Sequence, residues 1–152
     1  MTVLKLRNYL DDNNVEYITI SHSPAYTAQR IAELTNTPGK ELAKTVIVKM
    51  DDKFAMAVLP ASHRVDLDHL KSAVGASEVV LASESEFKSL FPDCELGAMP
   101  PFGNLYNMGV FVSEQLTDDE DIAFNAGSHT ELVRMSYQDF ANLVTPQVVS
   151  LT

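Results

Sequence analysis

The sequence predicts an α+β or mixed-sheet domain. Three observations predict it. Apolar residues recur with period two in some short runs and with a helical period in others. Two strand-like runs flank Asp51-Asp52, the pattern of a hairpin. Helices and hairpins alternate without a repeating strand-helix-strand order, which argues against a doubly wound parallel sheet. The 152 residues, 45% of them apolar, amount to a single domain over 1–152 with enough material for its own core.

Taken in order, Val3, Leu6 and Leu10 lie at helical spacing and Asn13-Asn14 ends the run, giving a short first helix. Residues 15–20 read as a strand because Tyr17, Thr19 and Ile20 favour extended geometry. His22-Ser23-Pro24 breaks that pattern, and Thr27 is placed to cap a helix over residues 28–34. Residues 42–50 and 54–59 form the hairpin, with Pro60 closing the second strand. A helix follows over residues 65–74, then a short strand over 78–81. Ser83-Glu84-Ser85-Glu86 has the form of a capping box that opens a helix to Leu90. Residues 92–107 are irregular, and Val110 begins a compact strand. Two more strands, residues 122–124 and 132–135, surround the turn Asn125-Ala126-Gly127-Ser128-His129. A final helix runs from Ser136 to Val144, with Ser136 as its cap.

Charge excludes one large class of function. Twenty-one Asp and Glu against 11 Lys and Arg give a net charge of −10. A protein that coats nucleic acid draws its affinity from neutralising phosphates and is basic; only a small local footprint on an RNA end is compatible. The single Cys94 excludes an internal disulfide and a cysteine-rich zinc site. No phosphate-binding glycine loop, dinucleotide fingerprint or nucleophile elbow occurs. His22, His63, His69 and His129 lack zinc-ligand spacing, so neither a metal nor a cofactor is expected. The opening Met1-Thr2-Val3-Leu4-Lys5-Leu6-Arg7 does not read as a secretory signal. No run of 18 apolar residues exists, so no membrane partner and a cytoplasmic location are expected.

Three features carry chemistry. Alternation puts Lys44 on one strand face with Val46, Val48 and Met50, and Thr45, Ile47 and Lys49 on the other. A lysine among apolar residues at the start of a strand is either a rim gatekeeper against edge pairing or a cation projecting into a pocket. Gly97-Ala98-Met99-Pro100-Pro101-Phe102-Gly103 joins a permissive glycine to two prolines that fix φ and donate no hydrogen bond. It reads as a rigid connector or as the wall of a size-limited pocket. His129, in a turn between strands, and His22, before Ser23-Pro24, are either surface histidines or proton-handling groups.

Together these segments resemble the YbaK and prolyl-tRNA synthetase-associated editing domains. The likeness is carried by His22-Ser23-Pro24-Ala25-Tyr26-Thr27-Ala28, by Leu42-Ala43-Lys44-Thr45-Val46-Ile47-Val48-Lys49, by Leu59-Pro60-Ala61-Ser62-His63-Arg64-Val65-Asp66-Leu67, by the Gly97 to Pro101 loop with its following Phe102-Gly103, and by Ala126-Gly127-Ser128-His129. One position departs: Ser113 stands where relatives often carry Asp.

The resemblance implies a compact mixed, mostly antiparallel, partly closed β-sheet flanked by helices, and a free-standing hydrolase that deacylates mischarged aminoacyl-tRNA carrying a small amino acid. The family's catalytic lysine, loop glycine and loop histidine map to Lys44, Gly97 and His129. His22, Tyr26, Thr27, Thr45, Ala98, Met99, Pro100, Pro101 and Ser128 are the expected substrate-binding set. The backbone N–H groups of Gly97, Ala98 or Met99 would face the ester carbonyl, since the prolines have none. The implied partner is a tRNA acceptor end, gripped weakly by a mouth of Arg30, Lys40, Lys44 and Lys49, with an aminoacyl-tRNA synthetase as a further partner. Two other readings stay open: a non-catalytic module that binds amino acid or aminoacyl-tRNA, and a general esterase built on His129 and a carboxylate.

Overall fold

A computed structural model of the chain describes residues 3–152. Helix α1 (Leu4–Asp12) buries Leu6 and Leu10, one turn apart on its inner face. Strand β1 (Tyr17–Ser21) leads to α2 (Ala28–Thr35), whose cap is Thr27: its Oγ1 accepts the Arg30 N–H at 3.2 Å. Strands β2 (Ala43–Met50) and β3 (Lys53–Pro60) form the expected hairpin. Asp51 and Asp52 both adopt positive φ, 48° and 71°, the backbone that a two-residue turn between right-twisted strands requires. Helix α3 (Leu67–Val74) starts later than the apolar spacing implies, because Asp66 is its cap and Oδ1 accepts the N–H groups of Asp68 and His69. Then come β4 (Val79–Leu81) and α4 (Glu84–Phe87), opened by the Ser83–Glu86 capping box. Short 3₁₀ turns interrupt the segment that follows. The chain ends with β5 (Gly109–Ser113), β6 (Asp121–Asn125), β7 (Glu131–Ser136), α5 (Tyr137–Val144) and β8 (Gln147–Val149).

The strands form two sheets, ordered β1-β7-β6 and β4-β2-β3-β5-β8. Four pairings are antiparallel; β3 with β5 and β5 with β8 are parallel. The α+β class is as the sequence predicts. The partial closure takes the form of a fork rather than a barrel: outside the named strands, Leu42 bridges Ala123 in parallel, and the sheets meet there. Strand β8 is not legible as a strand in the sequence. Three residues suffice because β5 offers them an edge.

The central hairpin is covered on both faces. Ile47, Met56 and Val58 pack into a large core with α1, α5 and the rings of Phe91, Phe102, Phe124 and Phe140. Val48, Ala57 and Leu59 pack on the other side against Leu70 of α3. Further along that second side, Leu42 and Ala123 pack against Ile31 of α2. Ser113 is buried, and its Oγ accepts the Gln115 N–H at the start of the 3₁₀ turn Glu114–Asp118. An aspartate is an equally good cap, so the departure at this position exchanges one capping residue for another.

Phe102 anchors the proline-rich loop. It is fully buried, with its ring centroid 6.2 Å from that of Tyr9, 5.6 Å from Phe124 and 5.5 Å from Phe140. Replacing a buried phenylalanine by alanine removes its transfer energy and leaves a cavity, together about 3–5 kcal/mol. The expected result for Phe102→Ala is a melting temperature lower by about 6–20 °C at this chain length, measured by thermal unfolding followed by circular dichroism.

Candidate active site

The site lies where the two sheets part. Leu42 is in parallel register with Ala123, so residues 44 and 125 come next in line on the same faces of their strands. No pairing continues there. From Val48 onward, β2 takes β4 as its neighbour instead. The gap left between β2 and β6 opens as a hollow of about 280 Å³, lined by Tyr26, Ile31, Leu42, Ala43, Lys44, Thr45, Ala61, Gly97 and Asn125.

Lys44 is the only charged residue in that lining. It is half-buried on the face between the Leu42 patch under α2 and the Val48 patch under α3. Among the described residues no carboxylate pairs with it. Burial, and after it the Arg64 guanidinium, hold its pKa below the ordinary lysine value. A cation left unpaired in a chain of net charge −10 keeps its full capacity for an anionic or oxygen-rich ligand. Between the gatekeeper and the pocket cation that the sequence allows, the structure therefore has the second.

Gly97 lines the same hollow as Lys44 and has φ +87°. A Cβ there would stand 3.5 Å from His129 Cε1; the backbone angle, rather than the space, is what calls for glycine. Its N–H meets only the Met99 thioether sulfur, at 3.3 Å, a weak acceptor. The Ala98 N–H is committed to the Glu95 carbonyl, and the Ala98 carbonyl accepts from Gly127 N–H. Of the two, the Gly97 N–H is the one free to turn to a ligand.

His129 holds this loop in place. Its Nε2–H donates to the Leu96 carbonyl at 2.8 Å, and its backbone N–H donates to Glu95 Oε1 at 3.3 Å. The carbonyl contact assigns the proton to Nε2, because a carbonyl only accepts. Tyr26 lies over the imidazole with a centroid separation of 4.6 Å, and its side is 74% exposed. The Ala25 N–H to His129 carbonyl bond and the His22 N–H to Thr130 carbonyl bond fasten the segment before α2 onto the same turn.

The structure thus brings Lys44, Gly97, Tyr26 and Thr45 into one hollow, with His129 directly behind. It does not bring all the expected residues to the lining. Ala98, Met99, Pro100 and Pro101 are buried, because Phe102 draws the loop into the core behind Gly97. Thr27 serves α2 as its cap, and Ser128 is buried in its turn beside Thr130. His22 Nδ1 contacts the Ser23 carbonyl at 2.8 Å. The basic mouth is also smaller than expected. Lys49 points from the opposite face of β2 and pairs with Glu86 at 2.8 Å, while Arg30 pairs with Glu33 at 3.5 Å.

Five lining residues escaped the sequence reading, Ile31, Leu42, Ala43, Ala61 and Asn125, and Asn125 is the polar one among them. Asn125, at the end of β6, has a buried Oδ1 with no hydrogen-bond partner. Cys94 lies outside the lining; burial pushes its thiol pKa up to about 11, against a partly offsetting contact with the Tyr106 hydroxyl at 3.4 Å, so it is a poor nucleophile at neutral pH. Among the described residues no group of three or more His, Cys, Asp or Glu is placed to hold a metal, and no helix is long and apolar enough to cross a membrane.

Comparison with known proteins bears on this geometry. The model of the aminoacyl-tRNA editing domain matches residues 22–143. The multifunctional Ser/Thr-tRNA deacylase ProXp-y of Escherichia coli K12 is 25% identical over 99% of this chain and 92% of its own length. The proline–tRNA ligase of Macrococcus caseolyticus is 26% identical over 79% of this chain, a stretch that makes up 20% of the ligase. In fold, the chain superposes on a candidate trans-editing enzyme for prolyl tRNA synthetase with a TM-score of 0.82 at 18% identity, covering 97% of this chain and 94% of the other. A hypothetical protein of known crystal structure superposes with a TM-score of 0.86 at 20% identity over 97% and 98%.

The half-buried ammonium has a measurable signature. Burial and the Arg64 guanidinium disfavour charged Lys44 in the fold, so Lys44→Met removes that penalty at neutral pH. Its expected melting temperature equals or exceeds that of the wild type. The difference shrinks as pH rises past the depressed folded pKa and vanishes above the unfolded one. Melting curves from pH 7 upward measure it; a variant clearly less stable than wild type at pH 7 contradicts it.

Proposed function

The chain belongs to the aminoacyl-tRNA editing domain family and is an aminoacyl-tRNA deacylase, and from that premise we propose that it acts in trans, in the cytoplasm, on tRNA mischarged with a small amino acid. The observation that carries the reading is that Lys44, with no carboxylate partner among the described residues, shares with Gly97 the lining of a hollow walled by Ala43, Ala61 and Thr45. The walls are small, the one cation is free, and the one loop glycine offers its N–H. Serine and threonine are the first amino acids to test, since the relative from Escherichia coli is named for them; alanine and cysteine belong in the same size class.

In this reading Lys44 holds the terminal nucleotide of the acceptor end through a phosphate or a ribose oxygen. The exposed face of Tyr26 offers the terminal base a stacking surface, with the His129 ring behind it. The aminoacyl ester then lies across the hollow with its carbonyl toward Gly97. Water adds to the carbonyl carbon, and the Gly97 N–H stabilises the oxyanion that forms. The carbon–oxygen bond to ribose breaks, the ribose oxygen takes one of the water's two protons, and the amino acid leaves as its carboxylate with the other proton released to solvent. The lining has no Asp, Glu or His to serve as base, so the neighbouring ribose hydroxyl is the group available to relay that proton. An ester is activated enough for positioning and oxyanion stabilisation to suffice.

His129 is a positioning residue here: its Nε2–H is spent on the Leu96 carbonyl, which fixes the loop that carries Gly97. The general-esterase alternative needs this imidazole on a carboxylate, and it is the backbone N–H of His129 that meets Glu95. A second pocket of this kind has a purpose, because synthetase pockets separate amino acids differing by a methylene only about 10–200-fold. With one free cation in the hollow, the grip on tRNA is weak, and a synthetase that hands over its product would supply the remainder.

A panel of tRNAs charged with alanine, serine, threonine, cysteine and proline tests the proposal. The small mischarged residues should be released and the cognate ones spared. Lys44→Ala should lower kcat/KM by about 10²-fold or more, the scale of losing one preorganised electrostatic contact, with the fold intact by circular dichroism. Binding of charged tRNA without release of amino acid would favour the non-catalytic module; wild-type rates in Lys44→Ala would remove its role.

A further inference from the structure

We propose that Asn125 is the specificity group for the free α-amine: its carboxamide oxygen receives the substrate's α-ammonium, so that the site works on aminoacyl esters and not on N-blocked ones. The inference rests on the deacylase reading and adds a residue that the sequence reading passes over.

Three observations carry it. The first is an unmet acceptor: Asn125 Oδ1 is buried and has no hydrogen-bond partner, while its residue lines the hollow. A buried polar atom without a partner is costly, and a turn of the Asn125 side chain that brings this oxygen into the hollow lets a ligand donor supply the missing hydrogen bond. The second is register. The Leu42–Ala123 bridge makes 44 and 125 the next positions in line on the same face, with the hollow opening between their strands. A cation and a neutral acceptor therefore stand on opposite edges of one gap. A charged tRNA end offers the matching pair: phosphate or ribose oxygens for Lys44 and an α-ammonium for Asn125, with the ester carbonyl between them toward Gly97.

The third observation is the absence of Asp or Glu from the lining. A carboxylate at 125 would bind an ammonium more strongly, but it would also pair with Lys44 across the gap. A carboxamide accepts from the substrate without competing for the lysine. The same neutrality lets the product go, because a free amino acid is held by one neutral hydrogen bond rather than by an ion pair. Hydroxyl acceptors on Tyr26 and Thr45 also line the hollow, but the buried orphan oxygen is that of Asn125.

Seryl-, threonyl- and alanyl-tRNA and their N-acetylated forms, in which the α-ammonium becomes an amide, provide the test. Wild-type protein should cleave the free-amine form of its best substrate at least 10-fold faster than the acetylated form. Asn125→Ala should lose at least 10-fold on the free-amine form, mostly in KM, and little on the acetylated form, so that the two rates converge. Asn125→Asp should lose activity on both, because it ties up Lys44. Asn125→Ser, which keeps a small polar side chain, guards against a folding defect in the alanine variant and should show the same convergence.

Equal wild-type rates on the two forms would overturn the proposal, as would an undiminished preference for the free amine in folded Asn125→Ala or Asn125→Ser. A preference for serine over alanine that collapses in Asn125→Ala while discrimination against N-acetylation survives would overturn it too, by assigning the oxygen to the side-chain hydroxyl. Wild-type protein inert on every charged tRNA would instead overturn the deacylase reading itself.

Discussion

The parting of β2 from β6 after a single bridge is the constraint on which the site depends. A strand has two edges, and β2 gives one of them to β3 along its whole length. Its other edge is shared: Leu42 meets β6 at one end and residues 48–50 meet β4 at the other. Neither neighbour covers the stretch between, and the right-handed twist of strands makes such partings easy to open. The backbone discontinuity creates a hollow without any helix or lid having to move aside. Its walls are the first residues of β2, the last of β6 and the glycine of a loop that the core holds from behind.

That loop shows why rigid anchoring and exposed function go together. Phe102 is fixed among three aromatic rings, so residues 98–101 are pulled inward and Gly97 is left at the surface of the hollow. His129 then braces Gly97 from the other side through Leu96. Gly127, with φ +95°, lets the supporting turn pass within reach of Cys94 and Val3. The N–H that can stabilise an oxyanion is therefore preorganised by contacts none of which touches a substrate, and preorganisation of this kind is where electrostatic catalysis gets its advantage over water.

What the sequence made legible was whatever is local. Thr27, Ser83 and Ser136 are caps because their hydroxyls reach an N–H two or three residues on, and each does so in the structure. Lys44 stood out because a cation interrupts an apolar alternation. What stayed hidden depends on distant chain. Asn125 sits in an Asn-Ala-Gly-Ser run that reads as turn chemistry, and only its strand's meeting with Leu42 brings it to the same hollow as the lysine. Met99, Pro100 and Pro101 looked like pocket wall because proline suggests a stiff surface loop; the aromatic cluster that buries them is assembled from four separate segments. Lys49 looked like a companion of Lys44 until the alternation of β2 was taken at its word, which puts the two on opposite faces.

The placement of charge also resolves the tension between an acidic protein and a polyanionic substrate. Two of the basic side chains expected at the mouth are paired, Arg30 with Glu33 and Lys49 with Glu86. Such pairing leaves an acidic surface that offers the body of a tRNA no attraction, and screening confines the effect of its exposed charges to about a Debye length, roughly 8–10 Å. Lys44 is exempt because its neighbours in the hollow are apolar or neutral. In the proposed reading, affinity comes where an acyl group enters the hollow along with the terminal nucleotide, so that discrimination resides in the few groups around the gap rather than in the charge of the whole surface.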